Sequence, residues 1–357
     1  MKLIPLDKTK IPAILLCMPE NQDNLEITIN NDRKISAPAG VSILQALKQN
    51  NIFLSSACGG RGICGLCRLK VLEGAPAQLT QAETVHLNPE EVRAGFRLAC
   101  QIKLEQDAQI SIPDSFFNAR EFRAEVRDIR DLTRDIKEFK LRLLSPPEIA
   151  FKSGQYIQLR IPPYATSKKI TYRAYSIASP PSDNQTIELQ VRRVRNGIAT
   201  TYLFEYLKES DNISFNGPHG DFYLRDGASD IVMIAGGSGM APIKSMLADM
   251  RDRKIARKTR FFFGGRTPAD IFYRDLMKQF DRALPDFKFI PSVSSVRPDE
   301  KWEGEMGLIT DVLERRLEAG FAGVAYLCGS PAMIAACIAV LCKKKVSEER
   351  MFYDKFA

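Results

Sequence analysis

Three cysteines crowd one glycine-rich loop, Cys58-Gly-Gly-Arg-Gly-Ile-Cys64-Gly-Leu-Cys67, and a fourth, Cys100, follows in Arg97-Leu-Ala-Cys-Gln101. Bringing four thiols together demands a tight loop and a returning segment that delivers the last one. Thiols spaced this way indicate metal ligation in a reducing compartment and not a disulfide framework. Four thiolates are what a [2Fe–2S] cluster needs. Gly59, Gly60, Gly62 and Gly65 let the backbone curl and aim N–H groups at the sulfurs, which stabilises a negative cluster. The rival is a structural zinc site with four cysteine ligands, but such sites usually pair two short Cys-x-x-Cys knuckles and here there is one. A Rieske centre needs two histidine ligands; the chain has only His86 and His219, far apart. Cys58, Cys64, Cys67 and Cys100 are therefore the metal-ligand candidates. Cys17, Cys337 and Cys342 are read as structural.

The loop resembles the plant-type ferredoxin domain, with five residues instead of four between its first two cysteines. The longer loop is similar to that of the F-subunit family of sodium-translocating NADH:quinone reductases. Flanking segments suit the β-grasp fold that this resemblance implies. Leu25–Ile29 alternates as a strand, Ser42–Lys48 reads as an amphipathic helix, and Gln109–Pro113 closes as a strand.

The length of 357 residues suggests two or three domains, and 45% hydrophobic content suffices for packed cores. Residues 1–116 are charge-balanced, so the net +8 belongs to the remainder. Its densest stretch, 251–260, follows an apolar helical pattern, lacks interleaved aromatics and matches no nucleic-acid motif, so no nucleic-acid partner is expected. Ile11–Met18 is apolar but short, contains Pro12 and lacks a small-residue cleavage site. Residues 319–342 carry no charge and could span a bilayer by length. Cys328-Gly-Ser-Pro331 interrupts them and reads as a buried strand, a loop and a helix from about 331 to 344. The chain is expected to have no transmembrane segment and to be cytoplasmic.

Beyond a connector near 115–121, Ile136–Leu144, Tyr156–Ile161 and Thr186–Val194 alternate as strands of a small antiparallel barrel. Among them stands Arg173-Ala-Tyr-Ser176, preceded by Ser153-Gly-Gln-Tyr156 and followed by Gly197-Ile-Ala-Thr200 and Gly217-Pro-His-Gly-Asp-Phe222. In this order the motifs resemble the ferredoxin–NADP reductase superfamily, whose flavin barrel carries R-x-Y-S. The residue chemistry agrees. Arg173 can fork onto flavin phosphates. Tyr175 can stack on the isoalloxazine, and Ser176 can hydrogen-bond near flavin N5. Thr200 is expected to begin a helix over 200–208 whose amides hold pyrophosphate. Ala174 and Gly197 join the set, and the resemblance favours FAD over FMN.

From 227 the pattern alternates strand and helix, which implies a parallel α/β sheet. Asp230–Ala235 is a buried strand, and Gly236-Gly-Ser-Gly-Met-Ala-Pro242 then opens a helix. Gly236, Gly237, Gly239 and Pro242 are thus placed to cradle a dinucleotide pyrophosphate. Cys328 and Gly329 resemble the superfamily's second nicotinamide motif. The C-terminal Asp354-Lys-Phe-Ala357 is similar to relatives in which a near-terminal aromatic covers the flavin; Phe356 would be that cover and Asp354 the accompanying acid. The rival reading is an inert frayed tail. Arg266 is included with the cofactor-binding residues. NADH is favoured, with NADPH open because Ser295 stands where similar NADH users carry an acid and Arg297 is near.

The expected fold is thus α+β and multidomain: a β-grasp ferredoxin domain (24–116), an antiparallel β-barrel flavin domain (119–226) and an α/β parallel-sheet nicotinamide domain (227–357). Ser176, Cys328, Asp354 and Phe356 are the candidate catalytic residues. Nicotinamide, FAD and cluster would form one electron path. The resemblance implies a redox protein or an oxygenase as acceptor, as in the reductase components of phenol hydroxylase and soluble methane monooxygenase. The alternative is an electron-input subunit docked peripherally on a membrane quinone-reductase complex.

Overall fold

The computed structural model describes residues 24–356 apart from 57, 75, 114, 115 and 118. The readings made for residues 11–18 and Cys17 lie outside the described residues. Among those described, the strands form three sheets, each with its own core.

The N-terminal unit contains β1 (Asn24–Ile29), β2 (Arg33–Pro38), α1 (Ile43–Gln49), β3 (Arg68–Glu73), α2 (Gln81–His86), α3 (Pro89–Arg93), β4 (Phe96–Leu98) and β5 (Ala108–Ser111). Its sheet order is β2-β1-β5-β3-β4, with β1 and β5 parallel, which is the β-grasp arrangement. Period-two alternation buries Ile27 and Ile29 of β1, and α1 covers them with Ile43, Ala46 and Leu47. Ser42 caps α1 by accepting from Gln45 N–H.

α2 and α3 both begin with reciprocal capping boxes, Thr80/Glu83 and Asn88/Glu91. Glu83 is fully buried and has a second role. It accepts from Arg97 Nε at 2.7 Å and from Leu98 N–H at 3.1 Å. This pins the segment that delivers Cys100. Glu83→Ala strands the buried Arg97 guanidinium, so it is expected to lower unfolding free energy by about 3–5 kcal/mol. Urea unfolding of the full chain, followed with cluster absorbance, checks this.

The central unit contains β6 (Arg120–Asp131), β7 (Ile136–Ser145), β8 (Tyr156–Ile161), β9 (Thr171–Ser176), β10 (Thr186–Arg192), α4 (Ile198–Thr201) and β11 (Asn212–His219). The order is β10-β7-β6-β11-β8-β9, every pairing antiparallel. The sheet curls until Ile177, just past β9, bridges Leu189 of β10. Two edges joined by one bridge make a half-barrel, not a fully laddered barrel. The helix expected over 200–208 instead starts at Ile198 behind Gly197 and continues as a π-turn over Tyr202–Tyr206. Gly197 offers no side-chain cap, so the sequence carries no strong start signal there.

The C-terminal unit contains β12 (Ile231–Gly236), α5 (Met240–Asp252), β13 (Thr259–Gly265), α6 (Arg274–Ala283), β14 (Phe287–Val293), β15 (Glu305–Met306), α7 (Ile309–Arg316), β16 (Val324–Gly329), α8 (Pro331–Lys343) and β17 (Met351–Lys355). Its order is β15-β14-β13-β12-β16-β17, parallel throughout. The uncharged stretch 319–342 resolves into β16, a Ser330 cap and α8. Among the described residues no helix is long and apolar enough to cross a membrane. The chain end is no frayed tail: β17 pairs with β16 from Met351 to Lys355. Cys337, on α8, is buried in the core, but Cys342, expected to be structural, is exposed.

Candidate functional site

The three loop thiols and Cys100 come together as two pairs. Cys58 Sγ and Cys64 Sγ are 3.3 Å apart, and Cys67 is hydrogen-bonded to Cys100. Gly59, Gly60, Gly62 and Gly65 all hold positive φ, from 65° to 90°, so the turn depends on residues without a Cβ. A side chain at Gly65 would collide with His86, and one at Gly62 with Gln101. The Cys64 thiol and the N–H groups of Ile63, Arg61 and Gly60 push Cys58 down to about 4. The Cys67 thiol and the Gln101 amide, 3.3 Å from Cys100 Sγ, push Cys100 down to about 7. The partner in each pair moves the other way: the hydrogen bond to Cys58 raises the Cys64 thiol and that to Cys100 raises the Cys67 thiol, so each pair favours one thiolate. Among the described residues, no three His, Cys, Asp or Glu side chains converge on a single metal position.

β9 carries Arg173, Ala174, Tyr175 and Ser176 along one edge of the half-barrel. It is in register with β8 so that Arg173 faces Leu159, Tyr175 faces Ile157 and Ser176 faces Tyr156. Arg173 is partly buried, donates to Tyr172 O at 2.8 Å, and has its pKa lowered by burial and by Arg61. Burial raises the Tyr175 phenol. Both effects leave an aromatic face and a desolvated cation on one strand, which suits a flavin and its phosphates. Thr200 was expected to serve pyrophosphate. Its hydroxyl is occupied in its own loop, between Val194 N–H at 3.2 Å and Val194 O at 3.1 Å, so only backbone groups there remain to meet an anion.

Ser176 is 4% exposed and its Oγ makes a long 3.5 Å contact to Asp354 Oδ2. Asp354 sits in β17 directly opposite Cys328 of β16. Phe356 N–H donates to Gly329 O at 2.9 Å, which ties the chain end beside the second glycine motif. Burial raises Cys328 well above an ordinary thiol. Gly239 lies so close to Cys328 that an added Cβ would stand 2.2 Å from the Cys328 carbonyl oxygen. The glycine turn and the Cys328–Gly329 strand end are therefore one constellation, meeting Ser176 through Asp354. Pro242 is buried in the first turn of α5. Arg266 lies apart from these, exposed past β13, its carbonyl accepting from Ser295 N–H at 2.9 Å.

Burial raises Asp354 from 3.8 to about 6, against the hydrogen bond from Ser176. The folded chain thus binds this proton more tightly than the unfolded chain, so stability falls as pH rises from about 4 to about 6 and is level above that. Asp354→Asn removes the charged form. It is expected to stabilise the full chain by about 1–3 kcal/mol above pH 6 and to change nothing near pH 4, the partial exposure of the residue favouring the lower figure. Thermal unfolding from pH 4 to 8 reads this.

Sequence reasoning missed how the units meet. α1 and the segment leading into the cluster loop sit against β8 and β9: Tyr156 hydrogen-bonds Ser55, Gln158 Nε2 donates to Leu54 O at 3.4 Å, and Lys48 Nζ stands 3.7 Å over the Tyr172 ring. Only Tyr156 had a sequence signal, as the end of Ser153-Gly-Gln-Tyr156. A wide cleft of about 1570 Å³ is lined by Ser55, Leu66, Tyr156, Tyr223, Phe352 and Asp354 among others. Of the residues named above as site candidates it reaches only Asp354. Its volume is a poorer guide to the chemistry than the converging motifs.

Comparison with known proteins agrees with this division. Residues 27–105 match the 2Fe-2S iron-sulfur cluster binding domain, 123–223 the oxidoreductase FAD-binding domain, and 233–338 the oxidoreductase NAD-binding domain. The F subunit of the Na(+)-translocating NADH-quinone reductase of Methylococcus capsulatus is 32% identical over 94% of this chain and 92% of its own length. That of Klebsiella pneumoniae is 33% identical with the same coverage. Among solved structures, a cytochrome P450 reductase of Amycolatopsis superposes with a TM-score of 0.77 at 28% identity, covering 93% of this chain and 98% of that one. The ferredoxin reductase in carbazole 1,9a-dioxygenase gives 0.70 at 26%, covering 94% and 98%. The chain is an oxidoreductase built to bind a [2Fe–2S] cluster, FAD and a nicotinamide dinucleotide.

Proposed function

The chain belongs to the F-subunit family of the Na(+)-translocating NADH-quinone reductases, and on that premise we propose that it draws electrons from NADH through FAD to its own cluster and delivers them singly to a protein acceptor. Its working modules are taken as residues 24–116, 119–226 and 227–357. When bound, the flavin takes up a hydride and gives up electrons singly, and the cluster accepts one electron. The chain's own residues orient these groups. Arg173 holds flavin phosphates and Tyr175 stacks on the ring. Ser176 and Asp354 manage the proton at the flavin N5 edge, for which a carboxyl near 6 is matched to neutral pH. Gly236, Gly237, Gly239 and Pro242 hold the dinucleotide at the start of α5. Cys328, Gly329 and Phe356 shape the nicotinamide pocket, and Cys58, Cys64, Cys67 and Cys100 hold the cluster.

The observation that carries this reading is the seating of α1 and of the segment leading into the cluster loop on β8 and β9, the strand pair that bears Arg173 and Tyr175. A cluster held against the flavin strand needs no large domain movement to receive electrons. NADH is favoured over NADPH because the Arg297 guanidinium already binds Glu300 at 2.9 Å, leaving less of it for a 2′-phosphate. The acceptor is a redox protein or an oxygenase, in a reducing, cytoplasmic setting. Family membership supports a second reading, an electron-input subunit docked on a membrane quinone-reductase complex. Steady-state reduction of cytochrome c by the purified, membrane-free chain tests both. Rapid turnover with a higher kcat/KM for NADH supports the first reading. Turnover restored only by membranes supports the second.

A further inference from the structure

The central and C-terminal units meet along α5, the helix that the glycine turn opens, and this contact is polar over most of its length. Lys244 Nζ lies 2.5 Å from Glu188 Oε2 and 3.2 Å from Glu138 Oε2. Glu138, on β7, is 5% exposed; its other oxygen accepts from Arg130 at 2.6 Å. The Tyr273 hydroxyl also donates to Glu138, and Gln190 Nε2 reaches that hydroxyl at 3.4 Å. Tyr273 holds φ at 59°, a conformation a bulky residue keeps only when its surroundings fix it. Further along, Ser245 Oγ donates to Ser179 O and Ser153 Oγ to Asp249 Oδ2, both at 2.7 Å, and Ser182 Oγ to Asp252 at 2.6 Å. Gly154 admits α5 closely, since a Cβ there would stand 2.5 Å from Met246.

None of Glu138, Glu188, Lys244 and Tyr273 belongs to the cofactor motifs, yet they bind the two cofactor-carrying units to one another. An apolar face of this size would tolerate sliding. Two carboxylates, an ammonium and a phenol at low exposure, with Arg130 on the second oxygen of Glu138, have one register in which every charge is paired, and specifying register is the best attested use of such groups. Lys244 is five residues past Gly239, about 7.5 Å along the helix at 1.5 Å per residue. A shift at the clamp therefore reaches the glycine turn almost undiminished.

We propose that Glu138, Lys244 and Tyr273 are positioning residues for hydride transfer, fixing how the nicotinamide unit presents its cofactor to the flavin unit. This rests on the function proposed above. In that step a hydride leaves nicotinamide C4 for flavin N5; the nicotinamide is oxidised, the flavin gains both electrons, and the clamp residues neither gain nor lose a proton. Reacting atoms must approach to about 3–3.5 Å, and a misplacement of about 1 Å is worth about 100-fold in rate. The clamp should therefore govern the rate and not the affinity.

Stopped-flow reduction of the FAD-loaded holoenzyme by NADH tests this with Lys244→Met and with the doubly neutral Glu138→Gln/Lys244→Met. The double variant removes one charge of each sign, leaving Glu188 beside Lys140 and Arg130 half-exposed to solvent, and keeps the proposal testable if the single variant fails to fold. In both, the limiting rate should fall about 10- to 100-fold, the apparent Kd for NADH should stay within about threefold, and the long-wavelength nicotinamide–flavin charge-transfer band should weaken. A folded double variant with the wild-type limiting rate and band overturns the proposal, as does a loss expressed wholly in Kd. A wild-type protein whose flavin NADH does not reduce overturns the underlying function instead.

Discussion

Cys64→Ser is expected to lower NADH-driven cytochrome c reduction by about 100-fold or more while leaving the rate of flavin reduction by NADH within about threefold of wild type. Cys64 pairs with Cys58 in the loop, and as one of the four proposed cluster ligands its loss would leave the cluster a thiolate short. The proposed hydride site uses none of that loop: Ser176, Asp354, Cys328 and the glycine turn come from β9, β17, β16 and the start of α5. Single-turnover absorbance separates the two steps. Equal collapse of flavin reduction in a folded variant would contradict a modular path. Its one route to indirect damage is the docking of the loop on β8, which circular dichroism and FAD content would report.

The second large effect is expected at Ser176. Ser176→Ala deletes a buried hydroxyl that contacts Asp354 and that is proposed above to serve the flavin N5 edge. Loss of one preorganised donor at a reacting centre is worth about 100- to 1,000-fold. The limiting rate of flavin reduction should fall by that order, with FAD content and the cluster spectrum unchanged. Asp354 would also lose the one hydrogen bond that restrains its raised pKa. The lower limb of the pH–rate profile should therefore move to higher pH in Ser176→Ala. An unshifted profile with an undiminished rate would remove Ser176 from the mechanism.

Much of this site was legible because local chemistry demanded particular residues. The four-cysteine spacing, the R-x-Y-S strand and the strand–glycine–helix sequence each need their residues contiguous or nearly so. The capping boxes Thr80/Glu83 and Asn88/Glu91 are a local signal that went unread, since Thr or Asn followed three residues later by Glu announces a helix start. What was hidden is long-range. Glu138 meets Lys244, and Leu54 meets Gln158, across about a hundred residues; no periodicity encodes a domain interface. The start of α4 was displaced because glycine at the cap gives a weak signal. The closing strand β17 is five residues long and takes its stability from β16, which only the fold supplies. The full burial of Glu83, an acidic helix residue by sequence, depends on Arg97 arriving opposite it.

The most direct test of the central claim is an anaerobic NADH titration of the purified, membrane-free chain, followed by visible absorbance and by electron paramagnetic resonance. With two electrons taken by the flavin and one by the cluster, the account predicts about 1.5 NADH consumed per chain and the signal of a reduced [2Fe–2S] cluster appearing as the flavin bands bleach. A flavin that bleaches with about one NADH while the intact cluster stays oxidised would contradict it.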